Sequence, residues 1–186
     1  MFPCIREDIG RDVFEVFLYS GFTSREFVTF EPDDRKKELD LILASMNGST
    51  QDLEDFVSKY PDMPDASMAL AEKVLIKNPE LSSQMLKRIP PVNENYQKAQ
   101  NLIPLVQLLN FEKQENDIGT LIFEAKESVL SGDFEGAIIK LIEAVRLEKS
   151  FYDELARKAT IAIFNYLGTK NDLTLKYRRQ FDMALY

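Results

Sequence analysis

Catalysis at neutral pH draws mostly on imidazole, thiolate or paired carboxylates, and this chain offers little of the first two. No histidine occurs in its 186 residues, so there is no imidazole base or ligand. Cys4 is the lone cysteine; it cannot close an internal disulfide and has no second thiol at C-x-x-C spacing to make a redox pair. Carboxylate pairs stand at Asp33-Asp34, at Asp62 with Asp65, and at Asp153-Glu154. Each falls at the start of a predicted helix, where the positive end of the macrodipole favours acids. Capping accounts for them without chemistry. There is no glycine loop to cradle a phosphate, no cluster at metal-ligand spacing and no Ser/His arrangement. The expectation is a non-catalytic protein without cofactor or metal, one that works by binding.

Charge narrows the partner. The chain has 23 Lys and Arg against 31 Asp and Glu, a net charge of -8. Nucleic acid and anionic membrane both call for positive surface that displaces counterions, so neither is expected. The apolar fraction is 45 % with 29 % charged residues, ordinary globular composition. Apolar runs fall short of the 18 or so residues that span a bilayer, and the start lacks a basic-then-apolar leader pattern. These features predict a cytoplasmic location.

The elements that would position a binding surface are helical hairpins. Ile118, Leu121, Ile122, Ala125 and Val129 recur at helical spacing. Gly132 stops that helix, Asp133 caps the next, and Phe134, Ala137, Ile138, Leu141, Ala144 and Val145 line its apolar face. With Ala125 at the eighth place of a 34-residue unit, Phe134, Ala137, Leu141 and Ala144 take the contact positions of a tetratricopeptide repeat. A more degenerate hairpin precedes it, with Met68, Ala71 and Leu75 on one arm, a break at Asn78-Pro79, and Leu81, Met85, Leu86 and Ile89 on the other. Between the two, Tyr96, Ala99, Ile103, Val106 and Asn110 trace a helix in which Pro104 marks a kink or a restart.

Towards the N terminus, Ile9 to Leu18 is apolar on nearly every side and reads as a buried or docking helix. Residues 21 to 32 fit an extended edge or an aromatic-anchored loop equally. Pro32 and Asp33 open a helix with Leu39, Ile42, Leu43 and Met46 inward, ended by Gly48. Ser49 with Asp52 caps a shorter one that buries Leu53, Phe56 and Val57. The turn-rich stretch from Pro61 to Asp65 divides an N-terminal helical segment, residues 1–61, from a repeat domain, residues 62–186. Towards the C terminus, Ser150 with Asp153 resembles a capping box for a helix carrying Leu155, Ala159, Ala162, Ile163 and Tyr166 and stopped at Gly168. A last helix from Asp172, with Leu173, Tyr177, Phe181, Ala184 and Leu185 inward, caps the array.

The run from Leu155 to Tyr186 carries a resemblance. Arg157-Lys158, Leu167-Gly168, Asp172, Tyr177-Arg178-Arg179 and Ala184-Leu185-Tyr186 are similar to the C-terminal signature of the bacterial thioredoxin-TPR chaperones, the YbbN-type proteins or chaperedoxins. Gln84 to Pro90 resembles that family's repeat-ending Leu-Lys-x-Ile-Pro. The likeness covers about residues 62 to 186 and is sharpest in the last third. It excludes the thioredoxin part: residues 1–61 are too few for a domain of about one hundred residues, and the redox cysteine pair is missing.

The fold expected is therefore all-α, a TPR-like antiparallel hairpin array or short α-solenoid with extra N-terminal helices. The resemblance implies a holdase or co-chaperone that binds unfolded clients and docks on the chaperonin through its terminal helix. It points to Tyr177, Arg178, Arg179, Phe181, Leu185 and Tyr186 as protein-binding residues; for Tyr177 and Phe181 packing of the end cap is the competing role. A second reading is a scaffold or homodimer assembled through Ile9 to Leu18. A third is a fragment of a thioredoxin-like redox protein whose catalytic domain lies upstream.

Overall fold

A computed structural model describes residues 34–44 and 49–186, and all the regular structure among them is helical. The helices are α1 (Asp34–Ala44), α2 (Thr50–Lys59), α3 (Pro64–Val74), α4 (Pro79–Lys87), α5 (Tyr96–Leu109), α6 (Asp117–Leu130), α7 (Phe134–Leu147), α8 (Phe151–Leu167) and α9 (Asp172–Ala184). The readings made for Cys4, for Ile9 to Leu18 and for residues 21 to 32 lie outside the described residues, as do those for Asp33, Met46 and Gly48. Consecutive helices pack on one another from α1 to α9. Alternating polarity along each helix puts one face inward, and the buried side chains join from Leu39 to Phe181 in a single apolar cluster.

Local sequence explains the boundaries. Ser49 accepts from the Asp52 amide at 3.0 Å while Asp52 accepts from the Ser49 amide at 2.8 Å, a complete capping box on α2. Pro64 and Pro79 open α3 and α4, where a missing N–H costs nothing. At the end of α6 the Asp133 amide reaches Ser128 O at 2.8 Å and the Gly132 amide reaches Val129 O at 3.0 Å. That pair of bonds turns the chain through Gly132 at φ 82°, and Asp133 then caps α7 at the Gly136 amide. Ser82 of α4 is fully buried; its hydroxyl donates to Ala71 O of α3 at 2.9 Å. The hydroxyl is satisfied, so the site keeps the small volume that close helix contact needs.

Pro104 lies inside a continuous α5. The carbonyl it deprives of a donor belongs to Gln100, an exposed residue on the solvent side of the helix, where a missing backbone bond costs least, and the helix carries on. Buried residues Ala99, Leu102, Leu105, Val106, Leu108 and Leu109 make a broad face on α5, which packs on α4, on α6 and most extensively on α8. The small buried residues Ala156, Ala159 and Ala162 of α8 favour close approach of helix axes.

Three expectations need correction. Leu43 was expected inward but is 53 % exposed: of the apolar side chains of α1, Leu39 joins the core at 3 % exposure, while Leu43 borders an open groove with Leu53 of α2. Asn110 is not part of the α5 stripe; it is exposed and ends the helix. The capping box of Ser150 with Asp153 does not form. Tyr152, Asp153 and Glu154 have φ of 48°, 55° and 60°, so a left-handed turn replaces the right-handed first turn that a box requires. Ser150 Oγ donates to Glu148 at 3.3 Å instead, Asp153 binds Lys158 at 2.6 Å, and Glu154 binds Arg157. The turn sets the Tyr152 ring edge-on to buried Phe111 at 5.3 Å.

Candidate functional site

Helix α9 carries all but the last two of the six residues singled out above, and the structure divides the six by face. Tyr177 and Phe181 are buried, at 7 % and 2 % exposure. Phe181 meets Phe164 of α8 edge to face at 5.8 Å. Leu185 is half-buried, whereas Arg178, Arg179 and Tyr186 are exposed, Tyr186 completely. Tyr177 and Phe181 thus spend their apolar area on the core, and the arginines and Tyr186 face outward.

The anchoring of this helix centres on Glu135, in the first turn of α7. Its Oε1 accepts from Lys176 Nζ at 2.6 Å and from Tyr177 Oη at 2.5 Å. The hydrogen bond from Lys176, then that from Tyr177, holds the Glu135 carboxyl below its ordinary value; the hydrogen bond to Glu135, then the contact with Tyr177, holds the Lys176 ammonium above its own. The ammonium also sits 5.0 Å from the Tyr177 ring centre. At the other end Lys149 Nζ donates to Leu185 O at 2.9 Å. Both ends of α9 are therefore pinned to other elements, and its outer face is presented rigidly.

That outer face holds residues the sequence reading passed over. Leu175 and Met183 are 65 % and 61 % exposed. With Arg179 between them and Tyr186 one turn beyond, they follow i, i+4, i+8, i+11 and form one outward stripe. The signal was legible as a second apolar period opposite the first. Arg178 lies beside the stripe, 4.0 Å from Asp182, and Arg179 has no ion pair among the described residues. The stripe offers two apolar contacts, an aromatic ring and an uncommitted guanidinium, a composition suited to protein contact.

Two hollows among the described residues lie away from the outward stripe of α9. A cleft of about 300 Å³ between α1 and α2 gathers Glu38, Asp52 and Asp55. Each has a structural partner: Lys59 and Tyr60 for Glu38, the Ser49 cap for Asp52, Gln51 for Asp55. A groove of about 660 Å³ is lined by Leu43, Leu53, Ala69, Tyr166 and Leu167, with Glu72 and Lys73 its polar members. No group of three or more Cys, Asp or Glu side chains at metal-binding distance occurs among the described residues, and no described helix is long and apolar enough to cross a membrane.

Residues 97–186 match the family model of the tetratricopeptide repeat. The matched stretch begins one residue into α5 and runs through α9, so these helices form a TPR-like domain. No curated protein and no solved structure matches the chain. Repeats of this family mediate protein–protein interaction, which makes other proteins the class of partner for the array.

Proposed function

We propose that this chain is a non-catalytic docking module of the holdase or co-chaperone type, which holds a protein partner on the outward face of its last helix. The observation that carries the reading is the division of α9: Tyr177 and Phe181 fasten it inward while Leu175, Arg179, Met183 and Tyr186 stand outward on a pinned helix. A preformed face loses little entropy on binding, and a guanidinium flanked by apolar side chains suits an acidic, partly apolar surface. Resemblance to the thioredoxin-TPR chaperones supports the chaperonin as that partner and unfolded polypeptides as clients.

Deleting residues 180–186 would also remove buried Phe181, so surface substitutions discriminate better. Arg178→Glu with Arg179→Glu, and separately Leu175→Ser with Met183→Ser, are expected to weaken binding to purified chaperonin by tenfold or more while leaving helical circular dichroism unchanged. Binding that survives both pairs would overturn the reading.

A further inference from the structure

The first turn of α8 is wound against its own sequence. Tyr152, Asp153 and Glu154 stand at φ 48°, 55° and 60° with ψ of 55°, 42° and 30°, three consecutive left-handed residues with no glycine among them. Each is disfavoured by a factor of about five to thirty in population. The local sequence favours the opposite winding: Ser150 stands at the N-cap place, and Phe151 to Lys158 contains neither glycine nor proline. Strain of this kind persists only where the surrounding structure holds it.

Ion pairs do not decide the handedness. In the left-handed turn Asp153 pairs with Lys158 at 2.6 Å and Glu154 with Arg157 at 2.5 Å. A right-handed turn would exchange the partners, Asp153 with Arg157 and Glu154 with Lys158, both at the i, i+4 spacing that a helix brings together. Two acids and two bases thus serve either winding. The contact tied to the left-handed one is that of the Tyr152 ring, edge-on at 5.3 Å to buried Phe111 just beyond α5; rewinding Tyr152 re-aims its side chain. Helices α7 and α8 are both held by the core, so residues 148–150 between them must absorb the change. Lys149, whose Nζ holds Leu185 O at 2.9 Å, lies in that link.

We propose that residues 152–154 form a two-state handedness switch, latched left-handed by Tyr152 on Phe111, whose rewinding to a right-handed turn releases Lys149 from Leu185 and loosens the C-terminal end of α9. Tyr152 is 59 % exposed, so the latch lies within reach of a molecule binding from outside. The inference is independent of the docking role given to α9.

A comparison of glycine with alanine reads the handedness by its sign, since alanine is the better residue in a right-handed turn and glycine in a left-handed one. In the full chain, Asp153→Gly is expected to unfold at higher urea than Asp153→Ala, and adding Tyr152→Ala to both is expected to reverse that order. In Tyr152→Ala alone, the three-bond amide-to-Hα couplings of residues 153 and 154 should fall to right-handed helical values. The amides of residues 183–185 should then exchange with solvent several-fold faster, while that of Tyr177, held through Glu135, is unchanged. Lys149→Ala should give the same faster exchange with the couplings of the parent chain. Asp153→Ala outlasting Asp153→Gly in the parent chain would overturn the proposal. So would left-handed couplings that survive Tyr152→Ala, or couplings that change while exchange at residues 183–185 does not.

Discussion

Glu135 is a residue whose importance no local pattern announces, since its partners Lys176 and Tyr177 lie some forty positions away. Its carboxyl is held below the ordinary glutamate value, first by the Lys176 hydrogen bond. A depressed folded-state value means that the interaction contributes stability above the ordinary value and loses it as pH falls through the depressed one. Lys176 behaves in the opposite sense: its raised value keeps the contribution below the ordinary lysine range and loses it only as pH climbs through the raised value. Thermal unfolding followed against pH should therefore decline on both flanks, and Glu135→Gln should flatten the acid flank. Tyr177→Phe keeps the buried ring and loses only the hydroxyl contact, so it should cost much less than Phe181→Ala, for which about 3 to 5 kcal/mol is expected in urea unfolding.

At the scale of elements, the ends of helices were the most legible part of the sequence. The Ser49-Asp52 box, the Gly132-Asp133 turn and the Gly168 stop follow from residue types within four positions of each other. Ser49→Ala should cost about 1 kcal/mol through the cap of α2. Gly132→Ala should cost about 1 to 2 kcal/mol, entirely from the backbone, because a Cβ there meets nothing within 4 Å. Denaturant titration of the two variants checks both values, and Gly132→Asn should recover part of the second loss. The same local reasoning failed at Ser150, where motif spacing promised a box. Packing of Tyr152 against Phe111 and the pairing of Asp153 and Glu154 with Lys158 and Arg157 accompany a left-handed turn instead. Those partners are set by the tertiary fold or lie outside the box spacing, so counting residues from Ser150 does not reveal them.

For the whole molecule, hairpin periodicity was enough to give an all-helical array, and it placed Ala125, Ala137, Leu141 and Ala144 in the core correctly. It did not give the pairing of α5 with α8. Helical stripes say how much of a helix is buried, and not which neighbour does the burying. The site was half legible: the inward stripe of α9 was read, and its outward counterpart at Leu175 and Met183 was not. One buried cluster runs from α1 to α9, which predicts a single cooperative unfolding transition. Leu105→Ala, at the broad face of α5, should lower the stability of the entire unit by about 2 to 5 kcal/mol, seen as coincident shifts in far-UV and tyrosine signals.

The junction of α5 with α8 also imposes an order on biosynthesis. Leu105 and its neighbours leave the ribosome some fifty residues ahead of the strip of alanines that α8 brings to α5. Through that interval the growing polypeptide carries an apolar flank with no native cover, the kind of exposure that invites aggregation. Stalled nascent chains ending before residue 150 should therefore be protease-sensitive at α5, and those extended beyond residue 186 by a tunnel-length linker should resist cleavage there.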